Sequence, residues 1–131
     1  MTENQIAKAV VDVAYKLHTE LGPGLLESVY EVLLEHELIR RGFRVRRQVP
    51  VPIEWNGVKF TEGFKADLII NDKVIVELKS VERLMPVHAK QLLTYLRLMQ
   101  LRLGLLINFG EERIKDGIKR IANGLPQNEE D

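Results

Sequence analysis

Apolar residues recur at helical spacing through the first twenty positions: Ile6, Val10, Val13, Ala14, Leu17 and Leu21 stand on one face. "TENQ" supplies a capping box from Thr2 to Gln5, and "GPG" at 22–24 stops the helix. Leu26, Val29, Tyr30, Leu33 and Leu34 predict a second helix over about 25–41, ended by Gly42. The period then changes. "RVRRQVPVPIEW" reads as extended, and its two prolines mark an edge strand or a bulge. "NG" at 56–57 signals a hairpin turn, and "VKFTEGFKADLII" is the returning strand, with a kink expected at Gly63. "ND" at 71–72 is a second turn, followed by the strand "KVIVELKS". Pro86 suits the first turn of a third helix running to about 99. "LGLLINF" is wholly apolar, as expected of a strand covered on both faces. A last helix is expected over 111–122.

The order is helix, helix, three hairpin-linked strands, helix, strand, helix. That order gives the α/β class, a mixed sheet between helices. The crossover through the third helix should set "LGLLINF" parallel to "VIVELKS".

A chain of 131 residues is expected to form one domain, over 1–125, with a frayed acidic tail at 126–131. Hydrophobic content of 45% and charged content of 29% are those of a soluble globular protein. No apolar run approaches the roughly 20 residues needed to span a bilayer, and no secretory signal opens the chain. The absence of cysteine excludes disulfides and thiolate metal sites and fits a cytoplasmic setting. Nineteen basic and 19 acidic residues cancel, so whole-chain charge does not point to nucleic acid. Locally, "RRGFRVRR" at 40–47 holds five arginines and no acid. Such a run either grips phosphate or forms a solvated helix end.

Familiar motifs fail on inspection. "GPGLLE" has Glu27 where a dinucleotide loop has its last glycine, and it follows a helix. "HELIR" ends at Arg40 where a zinc protease needs histidine. What remains is an acid–acid–lysine set. Glu77 and Lys79 interrupt "VIVELKS" and share one strand face, because side chains alternate. Asp67 lies on the preceding strand. A two-residue turn would pair Asp67 with Val76 and send Glu77 to the other face; a three-residue turn, 71–73, pairs Asp67 with Glu77.

Two carboxylates opposed at about 5 Å repel. A divalent cation removes the penalty, and oxygen-only ligands favour Mg²⁺ or Mn²⁺ over zinc. The same alternation also describes the wet face of an antiparallel sheet. Two helical segments bear on the choice. In "GLLESVY", Gly24, Glu27 and Tyr30 are three apart, and Glu27 stands in a first turn where the helix dipole favours its ionised form. In "HAKQLLTYL", His88, Gln91 and Tyr95 are read as one polar face, opposite Leu92, Leu96 and Met99. Each segment also reads as an ordinary solvated helix surface.

Together these residues resemble a known group. "GLLESVY" is similar to the G-x-x-E-x-x-Y signature of a family of small prokaryotic proteins. Asp67, "ELK" at 77–79 and "QLLTY" at 91–95 resemble the core of the PD-(D/E)XK nuclease superfamily, with Ala66 in place of the usual proline. The resemblance implies a restriction-endonuclease-like fold. It implies metal ligation by Asp67, Glu77 and the Leu78 carbonyl, with Glu27 as an additional acid. Lys79 would be the catalytic lysine, with Gln91 and Tyr95 as helix-borne polar groups. The function so implied is a Mg²⁺- or Mn²⁺-dependent nuclease. Arg44, Arg46, Arg47, Tyr30 and His88 are candidates for contacting DNA or RNA, and a homodimer would serve duplex cleavage. The alternative is a nucleic-acid- or protein-binding module that keeps the fold without the chemistry.

Overall fold

In the computed structural model, which describes residues 1–126, Thr2 caps helix α1 (Glu3–Leu21) as its sequence requires. The Thr2 hydroxyl accepts from the Gln5 N–H at 3.1 Å, and the Thr2 N–H donates to Gln5 Oε1 at 3.0 Å. Helix α2 (Glu27–Arg40) starts later than the periodicity suggests, because 22–26 form a loop with Gly22 and Gly24 at φ 75° and 98°. The remaining elements are β1 (Val45–Trp55), β2 (Val58–Ile70), β3 (Val74–Lys79), α3 (Pro86–Met99), β4 (Leu103–Asn108) and β5 (Ile118–Ala122). The expected acidic tail beyond Pro126 lies outside the described residues.

The five strands lie in chain order across one sheet. β1, β2 and β3 pair antiparallel, and β4 runs parallel to β3 across the α3 crossover. One element departs from expectation. Residues 111–122 are not a helix: a 3-10 turn (Ile114–Gly117) leads into β5, antiparallel to β4. Ile118 and Ile121 are three apart, which suits a helix face, but β4 is buried throughout and its outer backbone groups need partners. β5 supplies them.

Side-chain alternation sorts the sheet into two cores. Leu68, Ile70, Val74, Val76, Leu78, Leu103, Leu105 and Ile107 pack against α1 and α2. Val49, Val51, Ala66, Ile69, Ile75 and Leu106 pack against Leu92 and Leu96 of α3. The chain is therefore α/β, a restriction-endonuclease-like mixed sheet with helices on both faces.

β1 and β2 outrun β3. Only residues 68–70 of β2 pair with β3; Val49, Val51 and Ala66 of the hairpin still pack against α3, and beyond them its tip extends as an exposed two-stranded arm. The expected irregularity falls on that arm: Val51 pairs with Phe64 and Ile53 with Phe60, so residues 61–63 oppose Pro52 alone. Among the described residues, no helix is long and apolar enough to cross a membrane.

Candidate active site

The β2–β3 connection sets the site. Ile70 pairs with Val74, so the loop is the three-residue form, with Asn71 and Asp72 in left-handed conformation at φ 50° and 55°. Asparagine and aspartate tolerate that region well. Register runs on through Ile69–Ile75 and Leu68–Val76. One step further, Asp67 stands opposite Glu77.

There the backbone ladder gives way to side chains. The Asp67 N–H donates to Glu77 Oε2 at 2.7 Å, and the Leu78 N–H donates to Asp67 Oδ2 at 2.9 Å. Each carboxylate takes an amide of the other's strand, so two acids are held together where valines would pair. Burial first, and then the Asp67 charge, push the Glu77 carboxyl up to about 8; Lys79 opposes them only weakly. The Tyr95 phenol is also raised, by burial and then by the charges of Glu77 and Asp67. That places Tyr95 within the field of the acid pair. His88 is lowered by burial and by the Lys79 charge, with Glu27 opposing. Its Nδ1 accepts from the Met85 N–H at 3.1 Å, fixing it at the start of α3.

A sequence model of the PD-(D/E)XK nuclease superfamily matches residues 4–121, and so takes in Asp67, Glu77 and Lys79. The chain belongs to the PD-(D/E)XK nuclease superfamily. No curated protein and no solved structure matches it.

This PD-(D/E)XK chain has a pocket of about 210 Å³ beside the acid pair, lined by Glu27, Ser28, Glu31, Gln48, Asp67 and Leu78. Glu27 reaches it from the exposed first turn of α2. Two lining residues were not legible as site residues. Glu31 is only 5% exposed, and burial raises its pKa against the pull of Gln48 and Arg47. Gln48 Nε2 donates to Glu31 Oε1 at 2.6 Å and to Asp67 Oδ1 at 3.3 Å. The available signals were modest: Glu31 is one helical turn beyond Glu27, and Gln48 is the sole uncharged polar residue in "RVRRQVPVPIEW".

Other candidates are placed differently from expectation. Tyr30 does not face nucleic acid. It is 0% exposed and stacks on Phe109 at 4.1 Å; its hydroxyl donates to Gly22 O at 2.6 Å and accepts from the Leu25 N–H at 3.2 Å. Gly24, Glu27 and Tyr30 are therefore not one face: the glycine shapes the loop, the tyrosine anchors it, and the glutamate is left outside. Tyr95 is not opposite the apolar stripe of α3. It is 8% exposed, in one cluster with Leu92 and Leu96, and its ring meets Phe64 at 4.6 Å with the planes tilted by 45°. Gln91 is exposed on the same helix, and His88 is half-buried.

Each arginine of the basic run has an acidic partner. Arg40 and Arg41 hold Glu37 at 2.9 and 3.0 Å, Arg44 and Arg46 hold Asp72 at 3.9 and 2.8 Å, and Arg47 holds Glu31 and Glu35 at 3.5 and 3.4 Å. Asp72 lies in the loop at the far end of the β2–β3 ladder, so Arg44 and Arg46 flank that loop and not the acids. Arg47 alone adjoins the pocket, through Glu31. Among the described residues, no group of three or more His, Asp or Glu side chains has metal-holding spacing.

The segment after Lys79 is clamped. Asn108, 0% exposed, accepts from the Val81 and Gly110 N–H groups at 3.0 Å each and donates to Val81 O at 2.8 Å. Ser80 Oγ donates to Leu25 O at 2.6 Å. These bonds tie the end of β3 to β4 and to the loop that presents Glu27.

Proposed function

We propose that this chain is a metal-dependent phosphodiesterase that hydrolyses the backbone of nucleic acid. Asp67 and Glu77 would be the side-chain ligands, the Leu78 carbonyl a third, and Glu27 a helix-borne acid beside them. The observation that carries this reading is the exchange of amide bonds between the two carboxylates across β2 and β3. It forces like charges together, and one ammonium does not compensate them. The donor set fits Mg²⁺ or Mn²⁺, since it is all oxygen and all hard. Bound there, the ion would supply Lewis acidity to a phosphoryl oxygen and lower the pKa of a water.

The chain's own groups do the rest. Lys79 shares the strand face of Glu77 and offers positive charge to a non-bridging phosphate oxygen. Tyr95, its pKa raised, stays protonated and can donate to the same phosphate. Gln91, exposed on α3, can orient the attacking water. His88 offers a neutral ring to the substrate, and Arg47 can trade Glu35 for a flanking phosphate, since exposed ion pairs hold weakly. A water oxygen bonds to phosphorus, one ester P–O bond breaks, and the leaving oxygen takes up a proton. The "GLLESVY" segment supports membership of the G-x-x-E-x-x-Y group, and a two-fold dimer in the cytoplasm suits the same chemistry on duplex substrates.

The test is cleavage of labelled DNA and RNA in Mg²⁺ or Mn²⁺ against EDTA. Wild type should cut, and Glu77→Ala and Lys79→Ala should not; unchanged cutting by either variant refutes the assignment. A second reading, a binding module that keeps the fold, is favoured by the paired arginines and by the absence of a three-acid cluster among the described residues. A Mn²⁺ titration of thermal stability separates the two. Stabilisation that Asp67→Asn abolishes supports the enzyme, and a flat wild-type response supports the module.

A further inference from the structure

Gln48 has an unusual backbone for its place. It lies inside β1, yet its φ is 51°, in the left-handed region that residues other than glycine seldom adopt. Its flanking residues pair normally, Arg47 with Leu68 and Val49 with Ala66, so Gln48 stands directly opposite Asp67. The reversal has a visible consequence. Arg47 turns toward Glu31 and Glu35 of α2, while Val49, two residues on, packs against α3. An unbroken strand would send both to one face. β2 breaks step at the same row: Ala66 belongs to the α3 core and Leu68 to the α2 core.

The side chain freed by this reversal spends both amide hydrogens on carboxylates, Glu31 Oε1 at 2.6 Å and Asp67 Oδ1 at 3.3 Å. Both partners only accept, so the nitrogen must be the group that faces them. With the Leu78 N–H on Oδ2, Gln48 leaves Asp67 held at both oxygens. The same bridge ties α2, which carries Glu27, to the sheet. Strain kept at one residue to make two bonds to acids is the mark of a functional constraint.

We infer that Gln48 is a positioning residue for the metal site. It fixes the Asp67 carboxylate from behind and sets the spacing between that carboxylate and the helix-borne acids. This rests on the reading of Asp67 as a metal ligand. Outer partners of metal ligands are expected to change affinity by about 10- to 100-fold when lost.

The strain makes the test clean. Glycine accepts φ 51° without penalty, which offsets the loss of two hydrogen bonds to carboxylates, so Gln48→Gly should hold the melting temperature in EDTA close to that of wild type. Its Mn²⁺ dissociation constant, by isothermal titration calorimetry, should rise by about 10-fold or more. Gln48→Asn also tolerates the backbone but is one methylene too short to bridge both acids, and should fall between. Retained Mn²⁺ affinity in the glycine and asparagine variants overturns the inference. So does a loss of affinity that only tracks a lower melting temperature, since that is a purely structural role. Asp67→Asn distinguishes the two levels. If wild type binds Mn²⁺ and Asp67→Asn does not, the metal reading stands whatever Gln48 does; if wild type binds none, both fall.

Discussion

Glu77→Gln should make the metal-free protein more stable at pH 8 while leaving it nearly unchanged at pH 5. Burial and Asp67 raise the Glu77 carboxyl from its ordinary 4.5 to about 8 in the folded chain. Between those values the native state holds a proton that the unfolded state has released. The stability tied to this group is therefore complete below about 4.5 and is lost as pH rises through about 8. At about 1.4 kcal/mol per pH unit, the span from 4.5 to about 8 sets a ceiling near 5 kcal/mol. Glu77 is not fully shielded from solvent, which screens part of this, so a difference of roughly 2–4 kcal/mol is expected. Glutamine is the right probe. Its carbonyl can still accept the Asp67 N–H, and its amide can donate to the Asp67 carboxylate where the retained proton now does. The assay is urea denaturation in EDTA at pH 5, 6.5 and 8, comparing the two proteins at each pH. The gap should open as pH rises. Parallel stability curves from pH 5 to 8 would refute the account of two acids forced together at the β2–β3 junction.

Three other perturbations test the scaffold. Tyr30→Phe keeps the stack on Phe109 but strips the bonds to Gly22 and Leu25, and should cost about 1–2 kcal/mol in urea denaturation. Were Tyr30 instead a nucleic-acid contact, stability would hold and binding would drop. Asn108→Ala removes the partner of two amides and one carbonyl at the end of β4; a loss of about 2–4 kcal/mol is expected, with faster amide hydrogen exchange at Val81 and Gly110. Arg46→Ala breaks an exposed pair with Asp72 and should shift stability by less than about 0.5 kcal/mol, with cleavage unaffected because the pair lies beyond the far end of the ladder.

Where chemistry constrained geometry, the fold was legible. Requiring Asp67 and Glu77 on one face forces an odd loop, and Asn71 and Asp72 are residue types that can adopt it; the three-residue turn follows. Pro86 marked the start of α3 correctly because a proline suits only the first helical turn. The failures have one cause, partners that lie elsewhere in the chain. Ile118 and Ile121 fit either period, and only the open edge of β4 decides for a strand. Tyr30 sits in a motif that reads as functional, but its hydroxyl is consumed by two backbone groups of the preceding loop. Gln48 is hidden most deeply, since the usual sign of a left-handed residue is glycine, and here a long amide takes the position instead.

That choice of residue bears on function. Gln48, Asp67 and Glu77 form one row across β1, β2 and β3, and regular pairing stops there: Gln48 has a reversed φ, the β2–β3 ladder ends one step before that row at Leu68–Val76, and the two carboxylates accept the Asp67 and Leu78 amides. For stability alone, valine at 67 and 77 and an ordinary φ at 48 would serve better, because they would restore the ladder and remove a repulsive pair. Neighbouring rows follow that simpler rule, with Leu68 opposite Val76 and Ile69 opposite Ile75. Two carboxylates facing each other beside these apolar β2–β3 pairs are an energetic cost that folding does not explain. On the proposed reading a bound cation would offset that cost, since it would reverse the sign of the local electrostatics and make the Asp67 and Glu77 carboxylates a preorganised pair of ligands.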